Sequence, residues 1–231
     1  MIRRYLELDL MRGVAIILMV VFHFSYDLNY FGFIDIDIYR GAFWHYFRDV
    51  IIFLFMISVG ISLYIANEKT VNVRKNTLRL LKLFVVSLLI SVVSYVIYPN
   101  EWIYFGIIHL IFVASLLAVG FVRYPKVALG IGVAILGVHA LFHLDMHWLY
   151  RLSAETLSLP VHTQDIAHLF PWLGVVYIGI YIGYKKYFVL NLTSNKIVDK
   201  VTFLGRHALV IYLLHQPLLV ALLMGIKKFI L

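Results

Sequence analysis

LDLMRGVAIILMVVFH, residues Leu8–His23, contains the first long series of apolar side chains in this sequence. It joins the charged residues Asp9 and Arg12 to a long apolar run. An apolar run of about 18 to 22 residues crosses the ~30 Å hydrocarbon core of a bilayer as a helix. Because no small-residue cleavage site follows, we predict a retained first membrane helix and not a signal peptide.

Apolar runs of similar length recur along the chain, which has 231 residues, 63% of them hydrophobic. A soluble core of this size does not need so much apolar surface. The pattern predicts an all-α fold, a polytopic transmembrane helix bundle of about seven helices, forming a single domain over residues 1–231. The predicted helices are Leu8–Leu28, Asp49–Ala66, Thr77–Tyr98, Trp102–Val122, Lys126–Phe142, Leu169–Tyr184 and His207–Gly225.

The basic residues indicate how the bundle is inserted in the membrane. The chain has 20 Lys and Arg against 12 Asp and Glu, a net charge of +8. Lys and Arg concentrate at the N-terminus and in alternate connections, whereas Asn29–Arg48, Pro99–Glu101 and His143–His168 are poor in them. The positive-inside rule then predicts a multi-pass membrane protein with a cytoplasmic N-terminus and an outer C-terminus. The basic residues therefore indicate how the chain is oriented in the membrane. The expected partner is the lipid bilayer and not nucleic acid.

The composition also excludes several kinds of site. The chain contains no cysteine, so it has no disulfide, thiolate nucleophile or thiolate metal site. His139, His143 and His147 recur every four residues, but this stripe runs out of the membrane into an aqueous segment. No metal site is predicted.

Ionisable side chains at membrane depth are costly, so each is a functional candidate. Arg12 and His23 lie eleven residues apart, which puts them on one helix face, about 16 Å apart along the axis. Asp27 lies one turn beyond His23, where a carboxylate can hold the imidazole tautomer and raise its basicity, as in a general base. The alternative is an interfacial Asp9–Arg12 ion pair and a His23 that bonds to another helix.

Two later histidines and their neighbours are further candidates. His109 lies in the fourth predicted helix and His215 in the last, and each is either a packed, hydrogen-bonded histidine or part of a site. Pro217 frees a backbone carbonyl one turn earlier, which Gln216 or a neighbouring helix can satisfy. Trp172 is either an interface anchor or a platform for substrate.

Two other patterns have plain structural explanations. Gly174, Gly179 and Gly183 line one helix, and this arrangement predicts close packing against a neighbouring helix. The basic cluster Lys69–Lys82 is first a topology signal, and it can also bind phosphates at the cytoplasmic face.

The motif in Leu8–His23, Asp-x-x-Arg-Gly with Arg-x10-His, resembles the first helix of the transmembrane acyltransferases. These include the family-3 acyltransferases and the catalytic domain of heparan-α-glucosaminide N-acetyltransferase. Four further segments resemble the bacterial branch of the latter family, and with them the likeness covers nearly the whole chain: Phe22–Gly32, Phe105–His109, Phe170–Gly174 and Gly205–Pro217.

This resemblance implies a protein of the bacterial inner membrane that transfers an acyl group, with acetyl expected, from cytosolic acyl-CoA. The expected acceptor is an amino or hydroxyl group of a glycan or lipid-linked sugar at the membrane or its outer side. The resemblance also implies that His23, oriented by Asp27, deprotonates the acceptor. His109, Trp172 or His215 would line the pocket and stabilise the oxyanion. Acyl-CoA is expected as co-substrate, with no metal, and its phosphates would be bound by Arg3, Arg4, Arg12, Arg74, Lys75 and Arg79.

Lysosomal relatives, by the same resemblance, have asparagine at the position of His23. The base would then be another histidine, and the first outer connection offers His45. Asp49 and Gln216 complete the expected substrate pocket. The chain is also shorter than the usual ten- or eleven-helix members, so a homodimer is one way to complete an acceptor-binding half.

Two other function classes fit a membrane chain with ten histidines. A haem-b electron carrier needs paired histidines at matched depths on two helices, and His23, His109 and His215 form no obvious set of pairs. A non-enzymatic membrane protein or proton-coupled transporter would use His23 and Asp27 as a proton relay. Two similar halves with broken helices would favour transport, and none are evident in the sequence.

Overall fold

The structure, a computed structural model, describes residues 5–38, 40–142, 152, 156, 159–160, 163, 165–190, 192–193 and 195–230. Within these residues the chain forms α-helices and no β-strand, which confirms the all-α fold. The fourth helix continues into a 3-10 turn, Val119–Phe121. The eight helices of the described residues are α1 (Leu6–Tyr30), α2 (Ala42–Asn67), α3 (Val73–Ile97), α4 (Ile107–Ala118), α5 (Pro125–Phe142), α6 (Trp172–Lys185), α7 (Lys196–Arg206) and α8 (Ala208–Ile230).

Five of these helices, α1, α2, α3, α5 and α8, are long and apolar enough to cross a membrane. The 25 residues of α1 make a helix about 37 Å long, which exceeds the ~30 Å hydrocarbon core. The stretch Ile107–Phe121 is a shorter apolar helix, and α6 has 14 residues. Each of the seven predicted helices therefore has a counterpart in the structure.

Two of the predicted helix starts are wrong. The second helix begins at Ala42, seven residues before the predicted Asp49, so aromatic residues assigned to an outer connection are helical. The fourth begins at Ile107, five residues after the predicted Trp102. Its first turn is capped by the Asp165 carboxylate, whose Oδ2 accepts a hydrogen bond from the Ile107 N–H at 3.1 Å. This cap sets the first residue of α4, which the pattern of apolar residues alone does not indicate.

The helix α7 is absent from the predicted set, because its residues fall in the basic connection between the last two apolar helices. The Asn195 side chain begins this helix by accepting hydrogen bonds from the N–H groups of Ile197 and Val198, both at 3.0 Å. Because the apolar residues of α7 alternate with Lys and Asp, it contains no run that apolarity would detect.

The chain divides into two compact units, and the boundary falls within α2. Unit 1 comprises Met1–Phe55 and Phe188–Leu231, and unit 2 comprises Met56–Tyr187. Unit 1 contains α1, the first part of α2, α7 and α8. Unit 2 contains the rest of α2 and α3 to α6. The single domain over residues 1–231 stays a prediction.

Glycines bring α7 into backbone contact with α1 in unit 1. A Cβ atom on Gly13 would collide with the Val201 carbonyl, and one on Gly205 would collide with the Asp9 carbonyl. The two contacts run in opposite order along the chain, so α7 packs antiparallel to α1. This packing brings Arg206, the last residue of α7, beside the cytoplasmic start of α1 as the topology predicts it.

The helix α8 runs along α1 in the same direction. The ring of His215 contacts the ring of His23, and further on the Lys227 Nζ donates to the Phe31 carbonyl at 3.2 Å. The C-terminal part of α8 therefore lies at the end of α1 that the topology assigns to the outer side. The Lys227 ammonium, a charge that the positive-inside rule disfavours there, bonds to the backbone of the outer connection.

Unit 2 is also packed through glycines. A Cβ on Gly132 would lie 2.7 Å from the Gly174 carbonyl oxygen, so α5 and α6 meet at their backbones. A Cβ on Gly179 would lie 2.7 Å from the Ile57 carbonyl oxygen, and one on Gly183 would lie 3.0 Å from the Tyr64 Cβ. The predicted packing role of the three glycines in α6 is confirmed.

Polar side chains join the predicted cytoplasmic ends of three helices in unit 2. Asn67 and Asn76 exchange amide hydrogen bonds of 3.2 and 2.8 Å between the end of α2 and the start of α3. Glu68 pairs with Lys186, just after α6, at 2.8 Å. These basic connections therefore lie at one end of unit 2, as the alternating charge pattern predicts.

Candidate active site

A pair of histidines forms the centre of the site in unit 1. His23 of α1 and His215 of α8 have ring centroids 4.9 Å apart, with their planes tilted by 59°. His215 is buried and His23 is half-buried. Residue spacing could not show this pairing, because the two histidines lie on the first and last helices. Since the rings touch, no iron can be bound between them, which argues against a haem coordinated by this pair.

The His215 ring has a defined tautomer. Its Nδ1 lies 2.7 Å from the backbone carbonyl oxygen of Tyr212. A carbonyl oxygen can only accept, so Nδ1 carries a proton, and in the neutral ring Nε2 keeps its lone pair. His215 Nε2 is buried and has no hydrogen-bond partner among the described residues.

The Asp27 carboxylate bonds to α8 and not to His23. Asp27 is 2% exposed, and its Oδ1 accepts a hydrogen bond from the Gln216 Nε2 at 2.8 Å. The expected hydrogen bond from His23 to Asp27 is absent, and the His23 ring makes no hydrogen bond within the described part of the chain. Asp27 Oδ2 and Gln216 Oε1 are buried and unpartnered there. The Gln216 amide thus donates its hydrogen bond to Asp27 and not to the backbone carbonyl that Pro217 leaves without a donor.

Aromatic rings from the first turns of α2 contact Phe22 of α1, whose ring lies 5.7 Å from the His23 ring. Phe22, the neighbour of His23, lies 6.0 Å from Trp44 and 6.1 Å from Phe47, measured between ring centroids. Phe43 lies 5.1 Å from Trp44 in an edge-to-face contact. This aromatic wall, comprising Phe22, Phe43, Trp44 and Phe47, follows from the early start of α2.

A second polar cluster lies near the start of α1. Asp9 is 4% exposed and pairs with two guanidinium groups, those of Arg12 at 3.5 Å and Arg206 at 3.3 Å. The arginine side chains are 30% and 41% exposed. The Asp9–Arg12 ion pair is present, as the alternative interpretation expects, and Arg206 is a partner that the sequence did not predict. The guanidinium groups of Arg12 and Arg206 thus form a cationic cluster around Asp9.

The model of the family described as heparan-α-glucosaminide N-acetyltransferase, catalytic, matches residues 4–217. The chain belongs to this family. No curated protein and no solved structure is found to match it. The match confirms the resemblance in Leu8–His23 and beyond. With five candidate membrane-spanning helices, it establishes an integral membrane protein of a transferase family.

His109, a candidate within this family, lies in unit 2 with both ring nitrogens engaged. Its Nδ1 accepts a hydrogen bond from the Gly106 N–H at 3.2 Å, and its Nε2 lies 2.9 Å from the Ser91 Oγ. Ser91 in turn donates to the Ile103 carbonyl at 2.8 Å. The His109 ring thus joins α3 to the start of α4, which is the arrangement of a packed, hydrogen-bonded histidine.

The other predicted pocket residues lie at the ends of helices. His45 is exposed in the first turn of α2. Asp49, one turn later, is half-exposed and pairs with Arg48 at 3.4 Å. Trp172 is half-buried at the start of α6 in unit 2.

The predicted phosphate-binding residues are distributed over both units. Arg74 and Lys75 are exposed in the first turn of α3, and Arg79 is partly exposed in the second. Arg3 and Arg4 lie outside the described residues, as do His143 and His147. In the part that the structure describes, no group of three or more His, Asp or Glu side chains could hold a metal ion.

Proposed function

We propose that the chain transfers an acyl group, with acetyl expected, from cytosolic acyl-CoA to an amino or hydroxyl acceptor at the outer side of the inner membrane. The observation that carries the proposal is the arrangement along α1. Arg12 lies in a cationic cluster near one end, and the His23–His215 pair lies about 16 Å further along the same helix. This distance is comparable with the reach of a pantetheine arm.

The cationic cluster is suited to the phosphate groups of acyl-CoA. Arg12 and Arg206 share the carboxylate of Asp9 and are partly exposed. Guanidinium groups bind phosphate through paired, charge-assisted hydrogen bonds. The buried Asp9 holds both arginines at the predicted cytoplasmic end of α1, where the donor would enter.

The histidine pair is suited to an acceptor that carries hydrogen-bond donors. Three buried atoms in this region have no partner among the described residues, and all three are acceptors: Asp27 Oδ2, Gln216 Oε1 and His215 Nε2. A buried, unsatisfied polar group costs about 1–3 kcal/mol, so a ligand that brings donors is favoured. A neutral primary amine brings two N–H donors and keeps the lone pair with which its nitrogen attacks.

In the proposed reaction, the acceptor nitrogen or oxygen attacks the thioester carbonyl and an imidazole of the pair takes the acceptor proton. The tetrahedral intermediate then expels the CoA thiolate, and the thiolate takes the proton from the imidazole. Phe22 of the aromatic wall lies 5.7 Å from the His23 ring, and this apolar neighbour supports an acceptor with a ring, such as a glycan or lipid-linked sugar.

The test is calorimetric binding of acetyl-CoA to the detergent-purified protein. We expect micromolar affinity, weakened about tenfold or more by Arg12→Ala because a charge-assisted contact is lost, and little changed by His23→Ala. Arg48→Ala is the matched control, since it removes one arginine from the predicted outer end of α2. Absence of binding at millimolar acetyl-CoA and longer acyl-CoAs would overturn the proposal and make transport the leading function.

A further inference from the structure

The two histidines of the site differ in what holds each ring. A general base needs one unprotonated nitrogen that can reach the acceptor proton, and a group that keeps the proton on the other nitrogen. The sequence assigns this task to His23, with Asp27 as the orienting group. In the structure, Asp27 bonds to Gln216 instead.

His215 has the features that His23 lacks. The carbonyl of Tyr212, one turn earlier on the same helix, lies 2.7 Å from the His215 Nδ1 and fixes the proton there. The Nε2 lone pair is left buried and without a partner in the described residues. Because the orienting carbonyl belongs to α8 itself, this tautomer does not depend on any side chain of a neighbouring helix.

We propose that His215 is the general base of the transfer and that His23 is its neighbour at the acceptor site. The inference rests on the proposed function and assigns a role within it. His215 Nε2 takes the proton from the acceptor as its nitrogen or oxygen forms the new bond to the acyl carbon. The carbon–sulfur bond then breaks, and the departing thiolate takes the proton from the His215 Nε2. His23 donates a ring N–H to the oxyanion of the tetrahedral intermediate.

Gln216 has a positioning role in this scheme. It follows His215 in α8, and its amide holds the Asp27 carboxylate of α1 at 2.8 Å. This bond fixes α8 against α1 at the level where the His23 and His215 rings meet. Its loss would displace the base without removing it.

The first part of the test reads the tautomer and needs no acceptor. Nitrogen NMR of the protein with ¹⁵N-labelled histidine would be assigned by difference spectra of His215→Asn and His23→Asn. His207 is the reference, because its Nδ1 also faces a backbone carbonyl, that of Phe203 at 2.9 Å. We expect His215 to be neutral with its proton on Nδ1, and a proton on Nε2 would overturn the proposal.

The second part compares two asparagine variants in acyl transfer. Release of CoA thiol from acetyl-CoA, with glucosamine as the probe acceptor, would be followed across pH. We expect His215→Asn to slow turnover roughly 100- to 10,000-fold and to abolish the acidic limb of its pH profile. His23→Asn should slow turnover and keep that limb. His139→Asn is the control histidine.

The outcomes separate the base assignment from the function itself. Loss of the acidic limb in His23→Asn and its retention in His215→Asn would overturn the assignment, while the function would stand. Recovery of His215→Gly, but not of His23→Gly, by added imidazole would support it. If acetyl-CoA does not bind the unsubstituted protein, the proposed function fails first, and the base assignment fails with it.

Discussion

The amide of Gln216 donates a hydrogen bond of 2.8 Å to the carboxylate of Asp27, and this bond joins the last helix of the chain to the first. Asp27 is 2% exposed and lies in a helix long enough to cross the membrane. A buried carboxylate without this donor would have to be neutralised or would destabilise the protein. The bond therefore contributes to stability as well as placing the histidine pair.

We predict that Gln216→Leu destabilises the protein by about 3 kcal/mol, because it leaves the Asp27 carboxylate buried without its donor. The double variant Asp27→Leu with Gln216→Leu should recover most of that loss, since it removes the charge as well. The measurement is thermal unfolding in detergent over the full double-mutant cycle. Additive effects of the two single substitutions would contradict the predicted coupling.

The contact between α1 and α7 gives a second prediction. In Gly205→Ala, the new Cβ would collide with the Asp9 carbonyl oxygen, which belongs to the backbone and cannot turn aside. We expect a loss of about 1–3 kcal/mol of stability, measured by thermal unfolding in the same detergent.

Gly225→Ala is the matched control for this substitution. Gly225 lies inside α8, and a Cβ there would meet no described heavy atom within 4 Å. Alanine should therefore raise stability by up to about 1 kcal/mol through its better helix propensity. If the two variants shift the unfolding midpoint in the same direction, close approach at Gly205 does not determine the packing of α7.

Much of the fold could be predicted from the sequence because apolar runs long enough to cross a membrane are a strong signal. The apolar residues after Arg12 predicted α1. The spacing of eleven residues put Arg12 and His23 on one face of that helix. Helix ends that depend on a distant side chain were not predictable in this way. The start of α4 is capped by Asp165, which lies 58 residues further along the chain.

The sequence indicated which residues are candidates for the site, but not which of them contact one another. His23, Asp27, His215 and Gln216 were all candidates, because polar groups at membrane depth are few and costly. Which of them meet depends on the packing of the first helix against the last, and Asp27 and Gln216 are 189 residues apart. The Asn195 cap was the available signal for α7 and hence for the position of Arg206.

Arg206 provides a prediction about the donor. Because it shares Asp9 with Arg12, we expect Arg206→Ala to weaken acetyl-CoA binding by about tenfold or more, comparably with Arg12→Ala. The affinities of both variants should depend less on salt than that of the parent, since each loses one ionic contact. The measurement is calorimetry at two salt concentrations. If the affinity of Arg206→Ala for acetyl-CoA is unchanged, Arg206 only stabilises the packing of α7 on α1.

The last prediction separates His109 from the chemistry. Both of its ring nitrogens are engaged, by the Gly106 N–H and by Ser91, so neither is available to an acceptor. We expect Ser91→Ala to cost about 1 kcal/mol of stability, since it leaves the His109 Nε2 without its partner. Acetyl-CoA affinity and the pH dependence of thiol release should be unchanged in this variant.

His109→Gln extends the same experiment, because glutamine keeps a polar side chain of similar length but cannot act as a base. Thermal unfolding should show the loss of the bonds between α3 and the start of α4, while turnover per folded molecule stays near that of the parent. If turnover instead falls by about 100-fold or more with the unfolding midpoint unchanged, His109 takes part in the reaction as a general base would. The hydrogen bonds that His109 makes with the Ser91 Oγ and the Gly106 N–H would then have to open during the catalytic cycle.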